Sequence, residues 1–186
     1  TNGVQMMTDA AIANTFTSSS IGIGRTVATN STFANVGEVI IYPSEIIGVN
    51  RNKVETYLAI KYGNTLDQTT PQNYTLSNNS VAWDNSIAGS FNQQIAGIAR
   101  DDISSLNQIK SQSSLNTGDI IVNSTTPLAT NLQSLIWGNN GDTAGTYSAI
   151  DTPLGYQRIN REWQFQEKNG DTTALKIAYP ASALPS

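Results

Sequence analysis

Residues 161–167 read REWQFQE, and the alternation in them limits the fold more than any other feature of the chain. Trp163 and Phe165 share one face and Glu162, Gln164 and Gln166 share the other, which is the period of a half-buried strand. Runs in which apolar residues alternate or bunch between Gly, Asn and Pro, the wider strand pattern, recur in IGIGRTVA (21–28), VGEVIIY (36–42), QIAGIAR (94–100), DIIVN (119–123), QSLIWG (133–138) and TALKIAY (173–179). In the last of these Leu175, Ile177 and Tyr179 alternate with Ala174, Lys176 and Ala178. The runs are separated by breakers: TTPQN (69–73), NNGD (139–142), where Gly141 supplies a positive φ, and KNGD (168–171), placed where a hairpin turn would join two strands. Thr, Ser, Asn and Gln make up 71 of 186 residues against 13% charged, a balance that suits strands with polar loops better than helices needing charged outer faces. The expected fold is mostly β: antiparallel β-sandwich modules, folded despite a hydrophobic share of only 38%.

One stretch breaks the period of two. In VETYLAIKYG (54–63), Val54, Tyr57, Leu58 and Lys61 or Tyr62 recur at three and four residues, so the spacing predicts an amphipathic helix over about residues 49–62. Gly63 sits where a left-handed C-cap is wanted, Lys61 places a cation in the last turn, and Gly48 is an acceptable N-cap. Following GEVIIY after a short connection, the Val54, Tyr57 and Leu58 stripe is expected to pack against a sheet containing Val39 and Ile41. Gly63 then releases the chain into a second domain, and the helix joins two modules.

Two groups of residues carry a resemblance. GEVIIYPSEIIGVNRNKVETYLAIKYGNTLDQ resembles the closing segment of the laminin-G-like, concanavalin-A-like jelly-roll modules of large secreted bacterial surface proteins. VAWDNSIAGSFNQQIAGIARDDISSLNQIKSQS, LIWGNN and RINREWQFQEKNGDTTALKIAYP resemble the domain of unknown function that follows this jelly roll in such proteins. Together they span roughly residues 20–180. Residues 1–63 are too few for a whole jelly roll, so the expected division is a partial laminin-G-like segment at 1–63 and a second β-sandwich domain at 64–186. The start at TNGVQ and the end at ALPS read as the interior of a longer protein. The resemblance implies a secreted or cell-surface location, in adhesin-like chains often exported by a type IX pathway. Neighbouring modules of the same chain are the implied partners, and no catalytic residues are implied.

Charge and residue types narrow the chemistry further. A net charge of -4 and a pI near 4.6 offer no basic stripe for nucleic acid or an anionic membrane. No apolar run approaches the roughly 20 residues of a membrane span. With no His and no Cys, a Ser-His-Asp triad, a Cys-His pair and a His-ligated zinc are excluded. Carboxylates remain. Glu162 and Glu167, five apart in one strand, point to opposite faces, so a glycosidase pair about 5 Å apart would need a long-range partner.

Asp101, Asp102 and Asn107 form the densest acidic stretch and are the candidate calcium ligands, calcium being the sole cofactor candidate. The competing reading makes one Asp a turn cap and pairs the other with Arg100. NNGDT (139–143) is a second acidic loop. Trp83, Trp137 and Trp163 lie in apolar-patterned runs and read as core, whereas Tyr74, Tyr147 and Tyr156 lie in polar loops and are the candidates for exposure. The expected function is that of a non-catalytic structural and adhesion module, with surface glycans or other surface proteins as further partners. The alternatives are a carbohydrate-binding module attached to an extracellular enzyme and a glycoside hydrolase using a long-range carboxylate pair.

Overall fold

The computed structural model describes residues 36–115, 119–171 and 174–181. The strand expected at 21–28 lies outside them. Described residues 46–181 belong to one compact unit and 36–45 to another. In the smaller unit VGEVIIY is not a strand: residues 36–42 pair with no strand among the described residues, and Val39 and Ile41 are 49% and 55% exposed. An apolar run becomes a strand only where a neighbouring strand completes its ladder, and among the described residues no strand pairs with 36–42. The sheet against which the helix was expected to pack is therefore not formed by these residues.

The larger unit begins with helix α1 (Gly48–Tyr62), followed by the short strands β1 (Tyr74–Thr75) and β2 (Val81–Trp83), a single turn of helix α2 (Asn85–Ala88), and β3 (Gln93–Asp101). Next come β4 (Leu106–Gln108), β5 (Lys110–Ser111), β6 (Ile121–Ser124) and β7 (Ser134–Asn139). The last are β8 (Tyr147–Ser148), β9 (Arg158–Ile159), β10 (Trp163–Lys168) and β11 (Leu175–Ala178). The main sheet has the order β10-β7-β3-β4, and a second sheet has the order β11-β6-β5; β1 pairs with β2 and β8 with β9. All these pairings are antiparallel. The protein is mostly β and β-sandwich-like, as the alternation predicts.

The main sheet is covered on both faces. On one side Ile95, Ala99, Leu106 and Ile136 pack with Ala59 and Ile60 of α1, with Tyr74 of β1 and with Ala82 and Trp83 of β2. On the other Ala96, Ile98, Leu135 and Trp137 pack with Val122 of the second sheet and Ile120 just before it, joined by Trp163, Leu175 and Tyr179. Successive residues of β3 and β7 thus enter different cores, and β7 is buried at every position. That is why QSLIWG is a continuous apolar run instead of an alternating one. The alternation of β10 holds but burial does not follow it: Phe165 lies beside Trp137 with ring centroids 6.1 Å apart yet is exposed, while Gln166 turns the other way, is buried and bonds both backbone groups of Asp84.

KNGD does not close a hairpin. β10 belongs to the main sheet and β11 pairs with β6 in the second, so the chain crosses between layers here. The turn is held by the third segment it meets: Thr130 donates to the Asn169 carbonyl, and the Asn169 amide donates to the Leu132 carbonyl.

Helix α1 matches its expected span to within a residue. Its N-cap is Ile47, and Gly48 opens the helix with φ 55°. Its fully buried stripe is Thr56, Ala59 and Ile60, while Val54, Tyr57 and Leu58 are half-buried on the shoulder. Small side chains at Thr56 and Ala59 let the helix approach β1 closely enough for the Thr56 hydroxyl to accept from the Thr75 N–H at 2.9 Å. Gly63 takes the left-handed conformation (φ 65°) predicted for it, and its N–H and that of Asn64 both return to the Ala59 carbonyl. The helix is a layer of the β unit, and the division expected between residues 63 and 64 falls inside that unit.

Candidate functional site

The proposed calcium ligands sit on the hairpin formed by β3 and β4, whose register pairs Asp101 with Leu106 and Arg100 with Asn107. Strand alternation sends Asp101 and Asp102 to opposite sides. Asp101, 2% exposed, accepts from both the N–H and the hydroxyl of Ser77, at 2.8 and 2.6 Å. Asp102, on the surface, takes a two-pronged bond from Arg100 at 2.8 and 3.1 Å. That guanidinium holds the Asp102 carboxyl below the usual carboxylate range. Arg100 also donates to the carbonyls of Leu128 and Ala129, and Asn131 receives the Asp102 N–H, so the turn is tied to the loop before β7. Asn107 is exposed. All four carboxylate oxygens already have protein donors and the three side chains do not converge. Among the described residues no group of three or more acidic, His or Cys side chains is gathered as a metal site.

A denser polar centre lies where the two sheets meet, below the NNGD turn. Asp119, just before β6, is buried and accepts from the Trp163 indole N–H at 2.6 Å and from the Ile120 N–H at 2.9 Å. Arg161, 6% exposed, donates to the Asp142 carbonyl at 2.8 Å and to the Gln94 amide oxygen at 3.1 Å. The Asn139 amide donates to the same Gln94 oxygen at 3.0 Å, and its own oxygen receives the Gly141 N–H. Gln94 reaches this point because β3 carries a bulge between Gln93 and Ala96, with Gln94 at φ 50°. Gly141 has the predicted positive φ, 80°. Burial raises the Asp119 carboxyl above its ordinary value, against the opposing pull of Trp163, the Ile120 N–H, Arg161 and Asn139. The centre clasps the second sheet to three strands of the main one.

In the sequence Asp119 and Arg161 are only the first residues of two expected strands, with no sign that they share a site. A charged residue opening an apolar run is the one available signal, and it does not identify a partner. Trp83 and Trp137 are fully buried as expected, and Trp163 is half-buried with its ring edge against Tyr179. Tyr74 corrects its expectation. It is 1% exposed, its hydroxyl accepts from the Leu66 N–H at 2.9 Å, and burial pushes its phenol well above the ordinary range. A polar stretch around an aromatic hides the fact that a short strand can drive that one ring into the core. Tyr147 is half-buried and Tyr156 is 69% exposed.

No curated protein and no solved structure matches the chain. Among the described residues no helix is long and apolar enough to cross a membrane. A family model described as "Domain of unknown function (DUF8202)" matches residues 50–186, a span that takes in all but the first two residues of α1 and every strand among the described residues, and the chain therefore belongs to that family.

Proposed function

We propose that the chain is a non-catalytic structural and adhesion module of a secreted or cell-surface bacterial multidomain protein. The observation that carries this reading is the use to which its carboxylates are put. Asp101 fixes Ser77, Asp102 fixes Arg100, Asp84 caps α2 through Ser86, Glu55 pairs with Arg51, Glu162 pairs with Arg158, and Asp119 holds Trp163. Each secures a turn, a helix or a layer, the task of a scaffold that must keep its shape. In the same reading the residues before α1 are the end of a laminin-G-like, concanavalin-A-like jelly roll, and neighbouring modules of the same chain are its partners. Fractionation of the producing cells with an antibody to this chain checks the reading: recovery at the surface or in the medium is expected, and recovery in the cytoplasm overturns it. A screen on chromogenic glycosides is expected to show no turnover, and released sugar would favour a hydrolase.

A second reading, a carbohydrate-binding module attached to an extracellular enzyme, draws support from Lys110 and Lys176, which stand on the two outer strands of the second sheet.

A further inference from the structure

Within a chain of net charge -4, one surface is basic. An open groove of about 410 Å³ runs between the end of α1 and the second sheet, and Lys61, Tyr62, Gln108, Lys110, Gln112 and Ile121 line it without any acidic neighbour among the lining residues. Lys61 is pre-positioned: its ammonium donates to the Tyr57 hydroxyl and lies 4.9 Å from the Tyr57 ring centre and 5.7 Å from that of Tyr62. The nearby helix end does not oppose an anion with a bare carbonyl at the cap, since the Ala59 carbonyl takes two N–H groups and the Gly63 carbonyl takes that of Ser114 at 2.7 Å.

The groove continues onto the outer face of the second sheet. Val122 and Leu175 face the inner core, so Ile121, Asn123 and Lys176 face outward. Register sets Lys110 opposite Asn123 and Asn123 opposite Lys176, giving a row Lys110, Asn123, Lys176 straight across three strands. The two lysines are two strand spacings apart, roughly 10 Å. Neither forms an ion pair among the described residues, whereas Arg51, Arg100 and Arg158 all do. Beside the row, Ile121 pairs with Ala178 in a small, flat apolar patch on which a sugar ring can lie.

We propose that this surface binds an anionic polysaccharide, carrying carboxylate or sulfate groups, along the line Lys61, Lys110, Asn123, Lys176. The ammonium groups meet successive charges of the chain, and the Gln108, Gln112 and Asn123 amides bond its hydroxyls. This rests on the interaction-module reading above and names its ligand class.

Calorimetric titration of the 186-residue chain with polygalacturonate, dextran sulfate, neutral dextran and inorganic phosphate tests the proposal. Binding to one or both polyanions is expected, weakening as salt rises, with neutral dextran and phosphate silent; which polyanion binds tells carboxylate from sulfate. Lys110→Glu and Lys176→Glu are each expected to weaken binding about fivefold or more. Lys53→Glu on α1, outside the groove and the row, is expected to leave it unchanged, as thermal melts confirm folding. Asn123→Asp, which adds one oxygen-borne charge at the centre of the row without changing its shape, is expected to weaken it as well. No binding to either polyanion, equal binding of neutral dextran, or wild-type affinity in the two lysine reversals overturns the proposal. Each of those results leaves the cell-surface reading standing, because fractionation tests that separately.

Discussion

Gly63 is the residue whose replacement has the clearest cost. A Cβ there would lie 2.0 Å from the Gln112 carbonyl oxygen, and φ is 65°. The left-handed conformation alone costs a non-glycine residue about 1–2 kcal/mol, and the clash adds to it. Gly63→Ala is expected to lower the unfolding free energy by at least that much, seen as a lower urea midpoint with little change in slope. At Asp101 the carboxylate serves a buried bond to Ser77, so Asp101→Ala should cost about 1–3 kcal/mol by leaving those donors unmet. With these oxygens occupied, a chelator is expected to leave the melting temperature unchanged. A drop on adding chelator would restore the calcium reading, since a ligand bound only to the folded state raises its stability.

At the scale of the element, α1 separates what a period reveals from what packing selects. Three- and four-residue spacing is satisfied by the half-buried stripe of Val54, Tyr57 and Leu58 and, one position round, by the buried stripe of Thr56, Ala59 and Ile60. The side with the bulkier apolar residues drew the prediction; the side with smaller ones lies closest to the strands. Ile60→Ala is expected to cost about 2–5 kcal/mol as a core truncation. Leu58→Ala, at the shoulder, is expected to cost about 1–2 kcal/mol. Equal losses in paired denaturant melts would contradict this assignment of faces. Among the strands, those long enough to repeat their pattern (β3, β6, β7, β10 and β11) were legible, whereas β1, β2, β4, β5, β8 and β9 span two or three residues and show no period.

For the molecule as a whole, the two sheets are joined through Asp119. Because its folded value is raised, the folded state holds a proton that the unfolded state has released once pH passes the ordinary carboxylate value of about 4. Stability from this group is therefore highest at low pH and falls as pH rises through the window between the unfolded and folded values. Asp119→Asn, which keeps an oxygen for the Trp163 N–H, is expected to flatten that fall, as measured by unfolding at a series of pH values. An unchanged slope would show that Asp119 titrates as an ordinary surface carboxylate.

Local physics is written in the residues themselves. The alternation of REWQFQE, the spacing of VETYLAIKYG, the left-handed glycines at 63 and 141 and the competing pairing of Asp102 with Arg100 all involve neighbours within a few positions, so their energetics can be read before the chain folds. What the tertiary structure decided is everything that depends on which surfaces meet. It chose which helical stripe is buried, left VGEVIIY without strand structure, sent β10 and β11 to different sheets, buried Tyr74, and brought Asp119, Arg161 and Gln94 to one centre. Burial, ladder pairing and the field around a carboxyl are properties of the assembled neighbourhood, and the same pattern of residues fits several neighbourhoods until packing selects one.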